Sequence, residues 1–371
     1  MNNKNITFGT YISKLRNDAG LGLREFAKQL GISAPYLSDI EKQKRDAPKE
    51  EIVAAISDKL GADRNLILDL AGKSRKVVAA DISEMLQKSQ ETVALLRTIR
   101  DHNPSEDNLR EIRETLMNIM NKVIIIAAGL GTRMKGFTEK RPKCLLEFGD
   151  KTLLQRQIEA YKDAGISDIS LVRGYKKETI NYEGITYYDN DDYENNNILN
   201  SLFYAEEAIS GPVIISYSDI LFESSVVKRL LESKHDISIV VDIDWRDYYV
   251  GRNDHPIEEA ENVIFDANND VIEIGKIMTN KDDVHAEFIG MMKLSSRGAS
   301  IFKQHFHKSK SLYWGESFQR AALFQKAYLT DLLQEMVSLG VQIHCVIIAR
   351  GWKEIDTIED YKNALAEFNG E

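Results

Sequence analysis

The chain has 371 residues, 43% of them apolar, and a net charge of −10. That length holds two or three domains and a sizeable core. It excludes a membrane span, because runs such as Val123–Leu130 are far too short. Met1–Thr10 is polar and carries no secretory signal. Cys144 and Cys345 stand far apart with no partners at metal spacing, so they read as reduced thiols of a cytoplasmic protein. The charge is uneven. Residues 1–76 hold fourteen Lys/Arg against ten Asp/Glu, so a mildly basic module precedes an acidic body and the two parts are expected to meet different partners.

In chain order, apolar spacing predicts short helices over Phe8–Ala19, Leu23–Leu30, Ala34–Glu41, Pro48–Leu60 and Asn65–Leu70. Gly31-Ile32-Ser33 is a tight turn with Ser33 as N-cap, and Pro35 falls in the first turn of the next helix. The run Leu23–Glu41, then Lys44-Arg45, resembles the repressor-type helix-turn-helix family over residues 8–71, except that Gln43 stands where that family has glycine. The resemblance implies that Ala34–Glu41 enters the major groove. Arg24, Ser33, Pro35, Tyr36 and Ser38 would then face DNA, with Lys42, Lys44 and Arg45 near phosphates. The alternative is a docking module that no longer binds DNA.

Residues 73–120 read as a helical connector. Ile82, Met85, Leu86, Val93, Leu96 and Ile99 form one stripe, and after a break at residues 101–105 Leu109, Ile112, Leu116 and Ile119 form another. Such a stripe packs on its own chain or pairs two subunits, and the family resemblance favours a homodimer.

From residue 121 the pattern changes. Val123–Ile126 is a continuous β-branched run, as in a strand buried on both faces. It runs into Ala127-Ala128-Gly129-Leu130-Gly131-Thr132-Arg133-Met134, and Pro142-Lys143 follows. Gly129 and Gly131 let backbone N–H groups approach phosphate, and Arg133 and Lys143 can neutralise its charge. The loop lacks the third glycine of a dinucleotide fingerprint and the Gly-Lys-Ser/Thr of a P-loop. The composite resembles the signature of the nucleotidyltransferase superfamily that joins NTPs to phosphorylated small molecules.

Strand and helix signals then alternate through Leu153–Ala164, Ile169–Val172, Ile185–Tyr188, Val213–Ser216 and Gln342–Ala349. This is the pattern of a doubly wound, mostly parallel α/β sheet over 121–371, behind an all-α module at 1–72. Asp219 ends one strand, where such sheets bind ligands, and Glu354-Ile355-Asp356-Thr357 follows another. The superfamily resemblance maps Asp219 and Asp356 to Mg²⁺. Gly174, after Ile169–Val172, is expected at the nucleotide.

The segment Asn190–Leu202 resembles an element of bacterial choline-phosphate cytidylyltransferases and their 2-aminoethylphosphonate-activating relatives. Asn197 and Ser201 match, and Ile198 replaces the second asparagine. This leans towards CTP. The insertion at 244–261 suggests the acceptor site: Arg252 for a phosphate or phosphonate, Trp245, Tyr248, Trp314 or Trp352 for an ammonium, and Glu261 or Glu316 for an amine. The expected activity is a Mg²⁺-dependent cytidylyltransferase acting on a small zwitterion, with Lys143 and Arg133 catalytic and DNA held through residues 1–72. A sugar 1-phosphate acceptor, or a regulator that senses a nucleotide or metabolite, are the alternatives.

Overall fold

In the computed structural model, which describes residues 6–62, 64–78, 80–134, 136–279 and 283–368, the chain divides into two compact units, residues 1–109 and 110–371. The sequence suggested a separate connector. Instead the division falls inside the last connector helix, and most of that segment groups with the first unit.

The first unit opens with α1 (Phe8–Asp18), α2 (Leu23–Gln29), α3 (Ala34–Glu41), α4 (Glu50–Leu60) and α5 (Arg64–Arg75). Phe8, Ile12, Phe26, Leu37, Ile40, Val53, Ile56 and Ile67 form their core. Ser33 caps α3 by accepting from the Tyr36 N–H at 3.3 Å. Arg16 grips Glu41 through two bonds of 2.7 and 2.8 Å, fixing α1 to the end of α3. Gln43 has φ of +59°, the left-handed conformation that suits the glycine expected there. Arg24, Ser33, Pro35, Lys44 and Arg45 are exposed, and Tyr36 and Ser38 are half-buried. Arg45 sits 3.7 Å from Asp39 and over the Tyr36 ring.

Three further helices follow: α6 (Ala80–Lys88), α7 (Gln90–His102) and α8 (Glu106–Met120). No residue of α7 is buried, and Leu95 and Leu96 are exposed. Val93 and Ile99 of its stripe are half-buried and Leu96 is exposed, so the stripe is only partly covered by the described residues.

The second unit is built on a sheet that, among the described residues, has nine strands. Its centre is parallel: β1 (Lys122–Ala127) lies between β4 (Asp168–Arg173) and β6 (Val213–Tyr217), with β5 (Ile185–Asp189) outside β4. Ile124 and Ile126 join the core on one face and Val123 and Ile125 that on the other, which is why β1 reads as an unbroken apolar run. Beyond β6 the order turns antiparallel at β11 (Ala286–Leu294), which also pairs β8 (Ile237–Asp242) and β9 (Asn262–Phe265). The rest of the sheet is β10 (Val271–Gly275), antiparallel to β9, and β12 (His344–Ile348), parallel to β8. The fold is thus α/β and mostly parallel at its centre. The long strand β11 carries no sequence alternation because all nine of its residues are buried.

A small ribbon completes the frame. β7 (Ile220–Phe222) pairs with β13 (Trp352–Glu354), and the Ile355 N–H donates to the Asp219 carbonyl at 2.8 Å. This pairing sets Asp219 and Asp356 side by side although they are far apart in sequence.

Candidate active site

A cleft of about 310 Å³ opens beyond the carboxyl end of β1. Ala127, Ala128, Gly129, Gly131, Thr132, Arg133 and Lys143 line it on one side. Gly131 has φ of +61°, and a Cβ there would stand 3.3 Å from the Lys143 Cβ, so the loop lies directly on that lysine. A Cβ on Gly129 would meet nothing within 4 Å. Gly174 does not line the cleft. A side chain there would collide with the Ala128 carbonyl and Tyr193, so this glycine lets the turn after β4 pass against the loop.

Lys143 Nζ lies 2.7 Å from both Asp219 Oδ2 and Asp356 Oδ1. Burial works to lower its pKa, but the two carboxylates, Asp219 foremost, outweigh it and hold the ammonium above the ordinary lysine range. Arg133 Nη2 lies 2.7 Å from Asp356 Oδ2, with Nη1 3.9 Å from Glu259. Burial pushes the Asp356 carboxyl up, and Lys143 and Arg133 bring it below its usual value. Asp219 Oδ1 is buried and has no hydrogen-bond partner among the described residues. A hard dication fits this donor set: two carboxylates converge and one oxygen is uncommitted. The structure thus brings Lys143, Arg133, Asp219 and Asp356 to one place.

On the adjoining wall, Asn197 caps the short helix α10 (Ile198–Leu202) and donates to the Lys326 carbonyl at 3.2 Å. Ser201 bonds Asn196 and Asn190 at 3.0 and 2.9 Å. Asn196, Asn197 and Ser201 all line the cleft. Asn196 exchanges side-chain bonds with Asn190 at 2.9 and 3.1 Å, and Ile198 lines the cleft beside it.

The opposite wall is acidic and aromatic. Glu261 lines it as expected, accepting from Thr330 at 2.9 Å and Tyr217 at 3.2 Å, and burial raises its pKa. Beside it stands Glu287 of β11, which sequence reasoning missed. It is 3% exposed, accepts from the Tyr249 hydroxyl at 2.6 Å, and leaves Oε2 without a hydrogen-bond partner among the described residues. Burial holds this carboxyl well above the usual range. Lys276 lies between Glu259, at 2.8 Å, and the Tyr328 ring. Trp352 also faces the cleft, its indole donating to Asp242 at 2.8 Å.

Several acceptor assignments are corrected by the structure. Arg252 is buried away from the cleft and committed to Asp360 at 2.8 Å. Trp245 is a core residue packed with Tyr249, Ala260, Met278 and Val284. Trp314 is 54% exposed, stacks under Lys310 and does not line the cleft; Glu316 is exposed as well. The Tyr248 side chain lies outside the described residues.

A glycine loop leaving a central parallel strand, with a lysine, an arginine and two aspartates gathered beside it, defines a nucleotidyltransferase. The comparisons agree: residues 123–272 match the MobA-like NTP transferase domain and residues 7–70 a helix-turn-helix domain. The chain is 30% identical to CTP:phosphoglutamine cytidylyltransferase of Campylobacter jejuni over 253 residues, 64% of this chain and 96% of that one. It is 36% identical to choline-phosphate cytidylyltransferase of Streptococcus pneumoniae over 118 residues, 31% of this chain and 52% of that one. The solved CTP:phosphocholine cytidylyltransferase from Streptococcus pneumoniae superposes with a TM-score of 0.51 at 22% identity, covering 67% of this chain and 99% of that one. The chain therefore belongs to the MobA-like nucleotidyltransferases, as a cytidylyltransferase-like member with a helix-turn-helix domain in front.

Proposed function

We propose that the protein transfers CMP from CTP to a small phosphorylated or phosphonate acceptor that carries an amine, releasing pyrophosphate. The observation that carries the reading is the buried acid pair, Glu261 and Glu287, facing the cleft that Lys143 and Arg133 also line. A cationic amine meeting Glu287 Oε2 would satisfy an atom that has no hydrogen-bond partner among the described residues. Phosphoethanolamine and 2-aminoethylphosphonate have this chemistry, and so does phosphoglutamine, named in a relative; phosphocholine offers the cation without an N–H and could meet the acid only by charge.

In this mechanism an oxygen of the acceptor attacks the α-phosphorus of CTP in line, and pyrophosphate leaves. The backbone of Ala128–Gly131 cradles the triphosphate. Lys143 leaves its carboxylates to meet the α-phosphoryl group and the incoming oxygen, and Arg133 steadies the leaving pyrophosphate. No covalent nucleophile is required, since positioning and charge neutralisation suffice. Asp219 and Asp356 would hold Mg²⁺, which supplies charge neutralisation at the transferred group.

The helix-turn-helix unit would hold DNA through Arg24, Ser33, Pro35, Tyr36, Ser38, Lys44 and Arg45, the exposure of most of them supporting this role. The two free, buried cysteines are compatible with the cytoplasmic location proposed here. A pyrophosphate-release assay over CTP, UTP, dTTP and ATP with the four acceptors and a sugar 1-phosphate tests the activity. Turnover with CTP and an amine acceptor supports it. Turnover only with a sugar 1-phosphate refutes the acceptor class, and silence with tight DNA binding favours a sensor.

A further inference from the structure

The segment from Gly251 to His255 closes over the residues that follow β13. Arg252 Nε donates to Asp360 Oδ1 at 2.8 Å, with the two side chains 4% and 1% exposed. Its Nη2 lies 3.5 Å from Glu354 Oε2. His255 sets Nε2 3.5 Å from that same oxygen and Nδ1 3.5 Å from Asp356 Oδ2. The backbone N–H groups of Asn253 and Asp254 donate to Glu359 Oε2 at 2.7 and 2.8 Å, and Asn253 Nδ2 donates to its Oε1 at 3.1 Å. Asp360 in turn accepts from the backbone N–H groups of Asp356 and Thr357, at 3.1 and 2.9 Å. The Asp356 backbone therefore hangs from Asp360, and Asp360 hangs from Arg252.

A buried ion pair is a poor source of stability, because desolvation cancels most of the attraction. Its value lies in fixing geometry. Here the fixed segment is the one that carries Asp356, and the segment that fixes it belongs to the insertion that supplies Glu259 and Glu261 to the cleft. We infer that Arg252 is a positioning residue for Asp356. It ties the acceptor-side insertion to the catalytic carboxylate, so the two walls of the cleft are held as one assembly. This rests on the cytidylyltransferase reading with a divalent cation at Asp219 and Asp356.

The test uses the full chain carrying Arg252→Lys, which keeps the charge and loses the planar fork. Binding of Mn²⁺ in the presence of CTP, without acceptor, is read by electron paramagnetic resonance. Loss of an outer-shell partner typically weakens metal affinity about 10–100-fold, and a loss in that range is expected here with kcat falling in parallel. Glu359→Gln, at a half-buried position, is expected to move Mn²⁺ affinity in the same direction with the unfolding midpoint preserved, which guards against a merely misfolded protein. Unchanged Mn²⁺ affinity in both variants overturns the inference. So does a rise in acceptor KM alone, which would return Arg252 to the acceptor phosphate. Failure of the functional reading looks different: the wild type then joins CMP to no acceptor, while its Mn²⁺ signal still reports on the clamp. A wild type that binds no Mn²⁺ beside CTP overturns the metal reading and this inference together.

Discussion

Replacing Lys143 with methionine strips the ammonium from between two carboxylates and keeps most of the side-chain volume. Lys143 is 12% exposed and bonds Asp219 and Asp356 at 2.7 Å each. Removing one partner of a buried ion pair typically costs 3–5 kcal/mol. Arg133 remains on Asp356, so the low end applies, and a loss of about 3 kcal/mol is expected at neutral pH. The sign with pH follows from Asp356, whose folded pKa lies below its ordinary value. Such a group contributes stability above the unfolded pKa, near 4 for a carboxyl, and loses it as pH falls through the folded value. The gap between wild type and Lys143→Met is therefore widest at neutral pH and closes below about pH 4 as the orphaned carboxylates take up protons. All three tryptophans lie in the second unit, so denaturant unfolding followed by tryptophan fluorescence reads that unit alone. Turnover is expected to fall about 10²–10³-fold or more with the loss of one charged contact to the transition state. Equal stabilities at pH 7.5, or turnover within tenfold of the wild type, refute the reasoning.

Other changes probe other parts. Glu287→Gln keeps shape and removes the ability to ionise against a cation, so acceptor KM for an amine substrate is expected to rise about tenfold, some 1.4 kcal/mol, with CTP KM unchanged. Because burial raises the Glu287 pKa, binding of a cationic acceptor is expected to expel a proton, seen as a calorimetric enthalpy that varies with buffer. Gln43→Gly relieves a left-handed residue worth roughly 1 kcal/mol, and slower hydrogen exchange across α3 checks it. Lys44→Ala is expected to weaken DNA binding evenly across sequences and to reduce the salt slope by about one, measured by fluorescence anisotropy.

The parts legible in the sequence are those whose chemistry is local. The loop from Ala127 to Met134 declares itself through glycine spacing, and α3 through Ser33 and Pro35. Asp219 was found because it closes a strand signal, and Asp356 because Glu354-Ile355-Asp356-Thr357 resembles an ending of the superfamily. Glu287 was not, since β11 is buried throughout and shows no alternation to mark an inward acid. The insertion misled for another reason. Its arginine and aromatic residues look like ligand contacts, yet Trp245 and Tyr249 are needed to build its own small core. Arg252 is consumed by Asp360, 108 residues further on. Nothing within residues 244–261 announces that partner. Such assignments depend on which distant loop packs over the insertion, and tertiary structure alone decides that.

Lys143 and Asp356 are 213 residues apart. At a synthesis rate of about 5–20 residues per second, the ribosome needs roughly 10–40 s to travel between them. For that interval a growing chain displays its glycine loop and Lys143 while the second carboxylate does not yet exist. The helix-turn-helix unit has by then already emerged. A nascent molecule of this protein is thus able to fold its first unit well before it is able to complete the catalytic one, and the order of its two capabilities is written into the order of its residues.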